Sequence, residues 1–234
     1  MTQRIVLGLF LISVAVNVAA MFADLSLACI PALIVGWYLA DLASGLTHML
    51  LDYRPTPAGK RLDELYFYAG SRESGDYLTL VRERMASVSA FDRLVYDFKN
   101  HHPRPMALGR RPVWRLIGST VLLAALPISL ALNLAVIVLA VPGWLTAASL
   151  AVIIGGAFAQ YFHGTLHRER NPVIIGWMRA SRLLMTPAAH QAHHDTLQRD
   201  FATNCGWSNP VINRLFLALR ARGYLCDKGL VPNA

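Results

Sequence analysis

Five of the eight histidines in this chain lie between Gln160 and His194, in two clusters. His163 and His167 are four residues apart, and His190, His193 and His194 follow an i, i+3, i+4 pattern. On a helix both spacings place imidazoles on one face, where neighbouring side chains reach a shared metal ion. The other three, His48 and the pair His101-His102, stand at the end of an apolar segment or in the polar stretch that follows one. A catalytic zinc needs three protein ligands and an open position, so eight histidines exceed its demand. Two irons fit better. Neutral imidazole suits iron, and a dinuclear centre of many nitrogens and a carboxylate can activate O2 against an unactivated C–H bond. The expected ligands are His48, Asp52, His101, His102, His163, His167, His190, His193 and His194, with one or two of them acting as orienting partners.

The elements that must position these residues are apolar. The 234 residues are 55% hydrophobic and 15% charged, with a mean hydropathy of +0.40, which fits a membrane protein rather than a soluble globule. A net charge of +8 serves orientation and contact with anionic headgroups in such a protein; no nucleic-acid partner is expected. Cys29, Cys205 and Cys226 form no CxxC pair, so neither a disulfide framework nor a thiolate zinc site is indicated.

An all-α fold with four transmembrane helices follows, at about 5–23, 27–51, 114–140 and 144–167. The first resembles a signal peptide in outline, but its apolar run is long enough to read as an uncleaved anchor. Asp41, His48 and Asp52 share a face of the second by helical period. Asp41 reads either as a functional carboxylate or as a hydrogen-bonded packing group. Pro127 should kink the third span, and Gly155-Gly156 permits close approach in the fourth. Residues 53–113 form a charged, aromatic loop with helices expected around Tyr77 to Ser87 and Phe91 to Asn100. Residues 168–234 form a basic cap, in which Ile174 to Leu184 suits either an interfacial helix or an ordinary packed one. The whole reads as a single domain.

All 22 Lys and Arg fall before the first span, between Tyr53 and Arg115, or after His167; the turns at Asp24 and Pro142 carry none. By the positive-inside rule both termini and the long loop are cytoplasmic, as in a bacterial inner membrane or its equivalent. That topology gathers every histidine at or beyond the cytoplasmic boundary.

The ordered set A-D-L-A-S-G-L-T-H-M-L-L-D (Ala40 to Asp52), His101-His102 followed by Pro103, H-G-T-L-H (His163 to His167), H-Q-A-H-H (His190 to His194) and G-W-S-N (Gly206 to Asn209) resembles the plasmanylethanolamine desaturase, or Kua-type, family of membrane lipid desaturases. The resemblance covers about 35–52 and 98–215; residues 54–95 are longer than the family's usual connection. It implies a di-iron centre and an external electron carrier such as cytochrome b5 or ferredoxin. It also implies an O2-dependent removal of two hydrogens from adjacent methylenes of a membrane lipid, leaving a double bond and water. Basic loops would favour phosphate-bearing lipids. Asp200 and Asn204 could add an oxygen ligand or orient a histidine, or be turn and helix-cap residues. The five tryptophans fit interface anchors.

Two other enzyme readings use the same residues. A di-iron hydroxylase would insert oxygen after the same first hydrogen abstraction, and a zinc-dependent lipid hydrolase would need fewer histidines and no O2. A haem or electron-carrier protein would place single histidines inside facing helices, which adjacent dyads in polar segments serve poorly.

Overall fold

Apolar runs with no water to satisfy their backbone close their hydrogen bonds internally as helices. The computed structural model describes residues 2–55, 57 and 59–225, and among these there is helix but no strand. Cys29 and Cys205 are free thiols; Cys226 lies outside the described residues, as do the last residues of the predicted cap. The helices are α1 (Thr2–Ala23), α2 (Cys29–Tyr53), α3 (Asp63–Tyr66), α4 (Gly75–Met85), α5 (Ala90–Asn100), α6 (Pro105–Gly109), α7 (Val113–Thr120), α8 (Leu126–Leu139), α9 (Gly143–Leu166), α10 (Val173–Ala180), α11 (Pro187–Thr196) and α12 (Asn209–Ala221).

Four stretches are long and apolar enough to cross a membrane: Gln3–Ala23, Cys29–Tyr53, Val113–Leu139 and Gly143–Leu166. The third is built from α7 and α8 joined by a π-helical turn, Val121–Ala125, in which the amide of Leu126 reaches back to the carbonyl of Val121. Pro127, which has no amide to donate, follows this wider turn; the expected defect is therefore a π-turn just before the proline. A polar seam missing from the sequence reading joins α1 to α8. Ser13 Oγ lies 2.7 Å from Ser129 Oγ, and Asn17 Nδ2 donates to the Ser129 carbonyl at 3.0 Å. Such interhelical bonds contribute about 0.6 kcal/mol each in a bilayer.

α2 and α9 form the most intimate pair. A Cβ on Gly36 would lie 2.2 Å from the Ala148 carbonyl oxygen, and one on Gly155 would lie 2.6 Å from Ala40 Cβ, whereas Gly156 faces open space. Only the first glycine of the expected pair is needed. On the opposite side of the bundle Asp24 accepts from the amide of Gly143 at 2.7 Å and so caps the start of α9.

Residues 62–96 make a small core of their own from Leu62, Leu65, Tyr66, Tyr77 and Tyr96. Ser74 and Ser89 cap α4 and α5 by accepting from the amides of Tyr77 and Asp92. The long loop is thus folded, and α5 leads directly into His101. α10 is shorter than Ile174 to Leu184, because Arg182 takes a positive φ of 61° and ends the run. Its Val173, Ile174 and Trp177 are exposed while Ile175 is buried, which suits a helix lying in the interface.

Candidate metal centre

The ends of α2 and α9, the turn after α5 and the inner face of α11 converge on one buried volume. All eight histidines and Asp52 meet there in two groups. His101, His163, His167, His190 and His194 form one; His48, Asp52, His102 and His193 form the other. Within each group one donor atom per residue lies within 4.8 Å of all the others. The groups touch: the His48 and His163 rings are 5.0 Å apart by centroid, and those of His190 and His193 are 5.5 Å apart.

Local sequence explains each placement. His48 and Asp52 are one helical turn apart at the end of α2, with His48 Nε2 3.2 Å from Asp52 Oδ2. His163 lies in the last turn of α9 and His167 is its C-terminal boundary residue. Thr186 caps α11 and Pro187 begins it, which sets His190, His193 and His194 on the helix at the expected spacing. Arg168 locks the end of α9 by donating to the carbonyl of Gly109 at 2.6 Å. Arg179 does the same by donating to that of Thr165 at 3.0 Å.

In the five-histidine group His163 Nε2 and His190 Nε2 are 3.1 Å apart, and His194 Nε2 is 3.2 Å from His190 Nε2. Two imidazole nitrogens about 2.1 Å from one ion stand roughly 3.0–3.4 Å apart at right-angle to tetrahedral geometry. In the second group Asp52, fully buried, takes His102 Nε2 at 2.9 Å and has His193 Nε2 at 3.4 Å.

The orientation of three rings comes from backbone carbonyls. His48 Nδ1 bonds the Phe201 carbonyl at 2.9 Å, His193 Nδ1 the Arg199 carbonyl at 2.8 Å, and His101 Nδ1 the Phe98 carbonyl. With Nδ1–H donating, Nε2 keeps its lone pair. The Nε2 atoms of His48, His101 and His193 are buried and make no hydrogen bond among the described residues. Buried nitrogens left in this state are costly unless a cation receives them. Burial, then neighbouring imidazoles, hold His101 and His190 well below the usual histidine range. The same causes bring His167 to about 4 and His194 to about 2. The neutral form that a metal requires is the one favoured.

Every sequence-predicted ligand therefore falls in one group or the other. Asp41 does not. Its Oδ1 accepts from the amides of Cys205 at 2.8 Å and Gly206 at 3.0 Å, and its Oδ2 from the amide and hydroxyl of Ser208 at 2.9 and 2.7 Å. It anchors the G-W-S-N turn to α2, the packing role of its two readings. Asp200 pairs with Arg199 and Asn213, and Asn204 donates to the Gly155 carbonyl at 3.1 Å; neither bonds a histidine ring. The carbonyls that do orient the rings, from Phe98, Arg199 and Phe201, carry no signal in a side-chain pattern.

A family model for the lipid desaturase domain matches residues 86–221, a stretch with seven of the eight histidines but neither His48 nor Asp52. Among curated proteins the chain is similar to the plasmanylethanolamine desaturase of Myxococcus xanthus, at 25% identity over 147 residues, 59% of this chain and 50% of that protein. The chain thus spans about half the length of that relative. No solved structure matches.

Proposed function

The chain belongs to the lipid desaturase family, and from that premise we propose that it is a membrane-embedded, O2-dependent desaturase of an alkyl or acyl chain of a membrane lipid. The observation that carries the reading is the sorting of nine donors, six buried and three partly buried, into a group of five and a group of four. Two irons suit this donor set. His101, His163, His167, His190 and His194 would hold one, and His48, Asp52, His102 and His193 the other. The chemistry so supplied is O2-dependent removal of hydrogen from two adjacent methylenes, with electrons from an external carrier of the cytochrome b5 or ferredoxin type.

The chain's own residues do the rest. The carbonyls of Phe98, Arg199 and Phe201 fix three imidazoles as Nε2 donors. Phe98 and Phe201, packed edge-on against His48, keep water from that ring. Asp52 gives the four-donor group a negative charge that the five-histidine group lacks. Four spans and the cap act as a single domain in a bacterial inner membrane or its equivalent, with the centre at the cytoplasmic face where the basic segments lie. A phospholipid held by the bilayer brings its chain to that level, and the arginines of the loops favour its phosphate.

Metal analysis and product mass test this together. The expected result is about two irons per chain and a lipid product lighter by two hydrogens, formed only with O2 and reductant. One zinc per chain would point to hydrolysis, and uptake of labelled oxygen into the lipid to hydroxylation; either overturns the reading.

A further inference from the structure

Outside α11, away from the histidines, a cleft of about 620 Å³ opens between α10, α11 and α12. Among the described residues Arg179, Arg182 and Arg199 line it against a single carboxylate, Asp200. That carboxylate is already engaged by Arg199 Nε at 2.6 Å and Asn213 Nδ2 at 3.1 Å. Arg179 spends one Nη on Thr165, while its buried Nε makes no hydrogen bond among the described residues. Arg182 and Arg199 are exposed. The cleft thus keeps a surplus of positive charge and guanidinium donors, the chemistry that receives a phosphate.

Trp207 is a wall of this cleft and also of a second cavity. The second is a groove of about 320 Å³ among α1, α2 and α9, and every side chain lining it is apolar, Met21, Leu33, Ile154 and Leu183 among them. Trp37 fastens the cap over it by donating from Nε1 to the Leu183 carbonyl at 2.9 Å. An arginine cleft at the level of the cap, divided by one indole from an apolar groove inside the spans, matches one amphiphile: a phosphate above, a hydrocarbon chain below. A flat basic patch would suit an acidic protein; a concave one backed by a chain-sized groove does not need one.

We infer that the cleft and groove together bind one glycerophospholipid, the phosphodiester between Arg182, Arg199 and Arg179 and one acyl chain past Trp207. This site is distinct from the histidine centre. The groove residue Trp37 precedes His48 by eleven positions on α2, about 16 Å along the helix, and Leu150 to Ile154 likewise precede His163 on α9. A chain in the groove runs toward the half of the bilayer remote from the metal ligands, so it is held rather than oxidised. The inference does not depend on what reaction the centre performs.

Native mass spectrometry of the full chain in detergent tests it, with phosphatidylglycerol and with diacylglycerol of the same chains as probes. One phosphatidylglycerol per chain should be retained, and retention should fall about tenfold in the R182Q/R199Q double variant and for diacylglycerol on the unaltered protein. W207A should weaken both lipids. Soluble glycerophosphate should not displace the lipid at equal concentration. Circular dichroism and iron content establish that the variants are folded. Unchanged retention in R182Q/R199Q, equal binding of diacylglycerol, or displacement by glycerophosphate would overturn the proposal. Because the readout is lipid mass and not turnover, a protein that binds lipid but desaturates nothing would reject the proposed activity and leave this site standing.

Discussion

His101 and His102 are consecutive, with ring centroids 4.0 Å apart, yet they belong to different donor groups. His193 and His194 divide the same way, in the opposite order. Each adjacent pair therefore ties the two groups together, and their spacing is set by single peptide units. His101→Ala and His102→Ala should each remove metal from a different group, leaving about half of the wild-type iron in each case. Elemental analysis with Mössbauer spectra reads this out as loss of different components in the two variants. Full iron in both would remove the basis for two sites.

Asp52 is the one carboxylate among the nine donors. Asp52→Asn keeps its volume and removes its charge, so the four-donor group should lose affinity by about 10–100-fold while the five-histidine group keeps its ion. Metal titration of the stripped protein should then change from two comparable affinities to one strong and one weak. Equal weakening of both would show that the carboxylate serves the two groups jointly.

Asp41 holds the turn at 205–208 by four hydrogen bonds. Asp41→Ala leaves those donors without a partner and should cost about 2–4 kcal/mol. A lower thermal midpoint in detergent is expected, with Asp41→Asn between it and wild type. A midpoint within error of wild type for the alanine variant would contradict the anchoring role.

Burial, then the Asp41 carboxylate, pushes the Cys205 thiol up to about 12. A raised thiol pKa keeps the unreactive protonated form, so alkylation of Cys205 should stay slow through pH 9–10 and accelerate only toward pH 12. Peptide-level mass spectrometry measures it. Labelling at pH 8 as fast as free cysteine would refute the shift.

Gly36 gives α2 its closest approach to α9, where a Cβ would meet the Ala148 carbonyl and Ala151 Cβ. Gly36→Ala should cost about 1–3 kcal/mol by forcing the helices apart, and Gly156→Ala, in open space, should cost far less. Unfolding of the two variants in mild detergent compares them directly; equal midpoints would argue against tight packing at Gly36.

Much of the architecture was readable from residue order because it depends on local periodicity. Runs such as Ile5 to Ala23 have to be helical in a bilayer, the i, i+4 spacings of His48/Asp52 and His163/His167 put both members at one helix end, and the turns at Asp24 and Pro142, which carry no Lys or Arg, point to the side opposite the histidines. The serines and asparagines between α1 and α8 were not legible, since Ser13 and Asn17 resemble tolerated exceptions until Ser129 stands opposite them. Pro127 predicted a defect but not the π-turn that precedes it.

By itself the sequence determined which residues could hold metal and that they would gather at one end of the bundle, because helix length and period fix where along an element each side chain emerges. Tertiary structure alone decided which histidine joins which group, why Asp41 lies outside while Asp52 lies inside, and which carbonyls aim the rings. Those outcomes depend on contacts between segments far apart in the chain, such as Phe201 against His48 and Cys205 against Asp41. No spacing rule reaches across separate helices, and a backbone carbonyl looks the same whatever residue carries it.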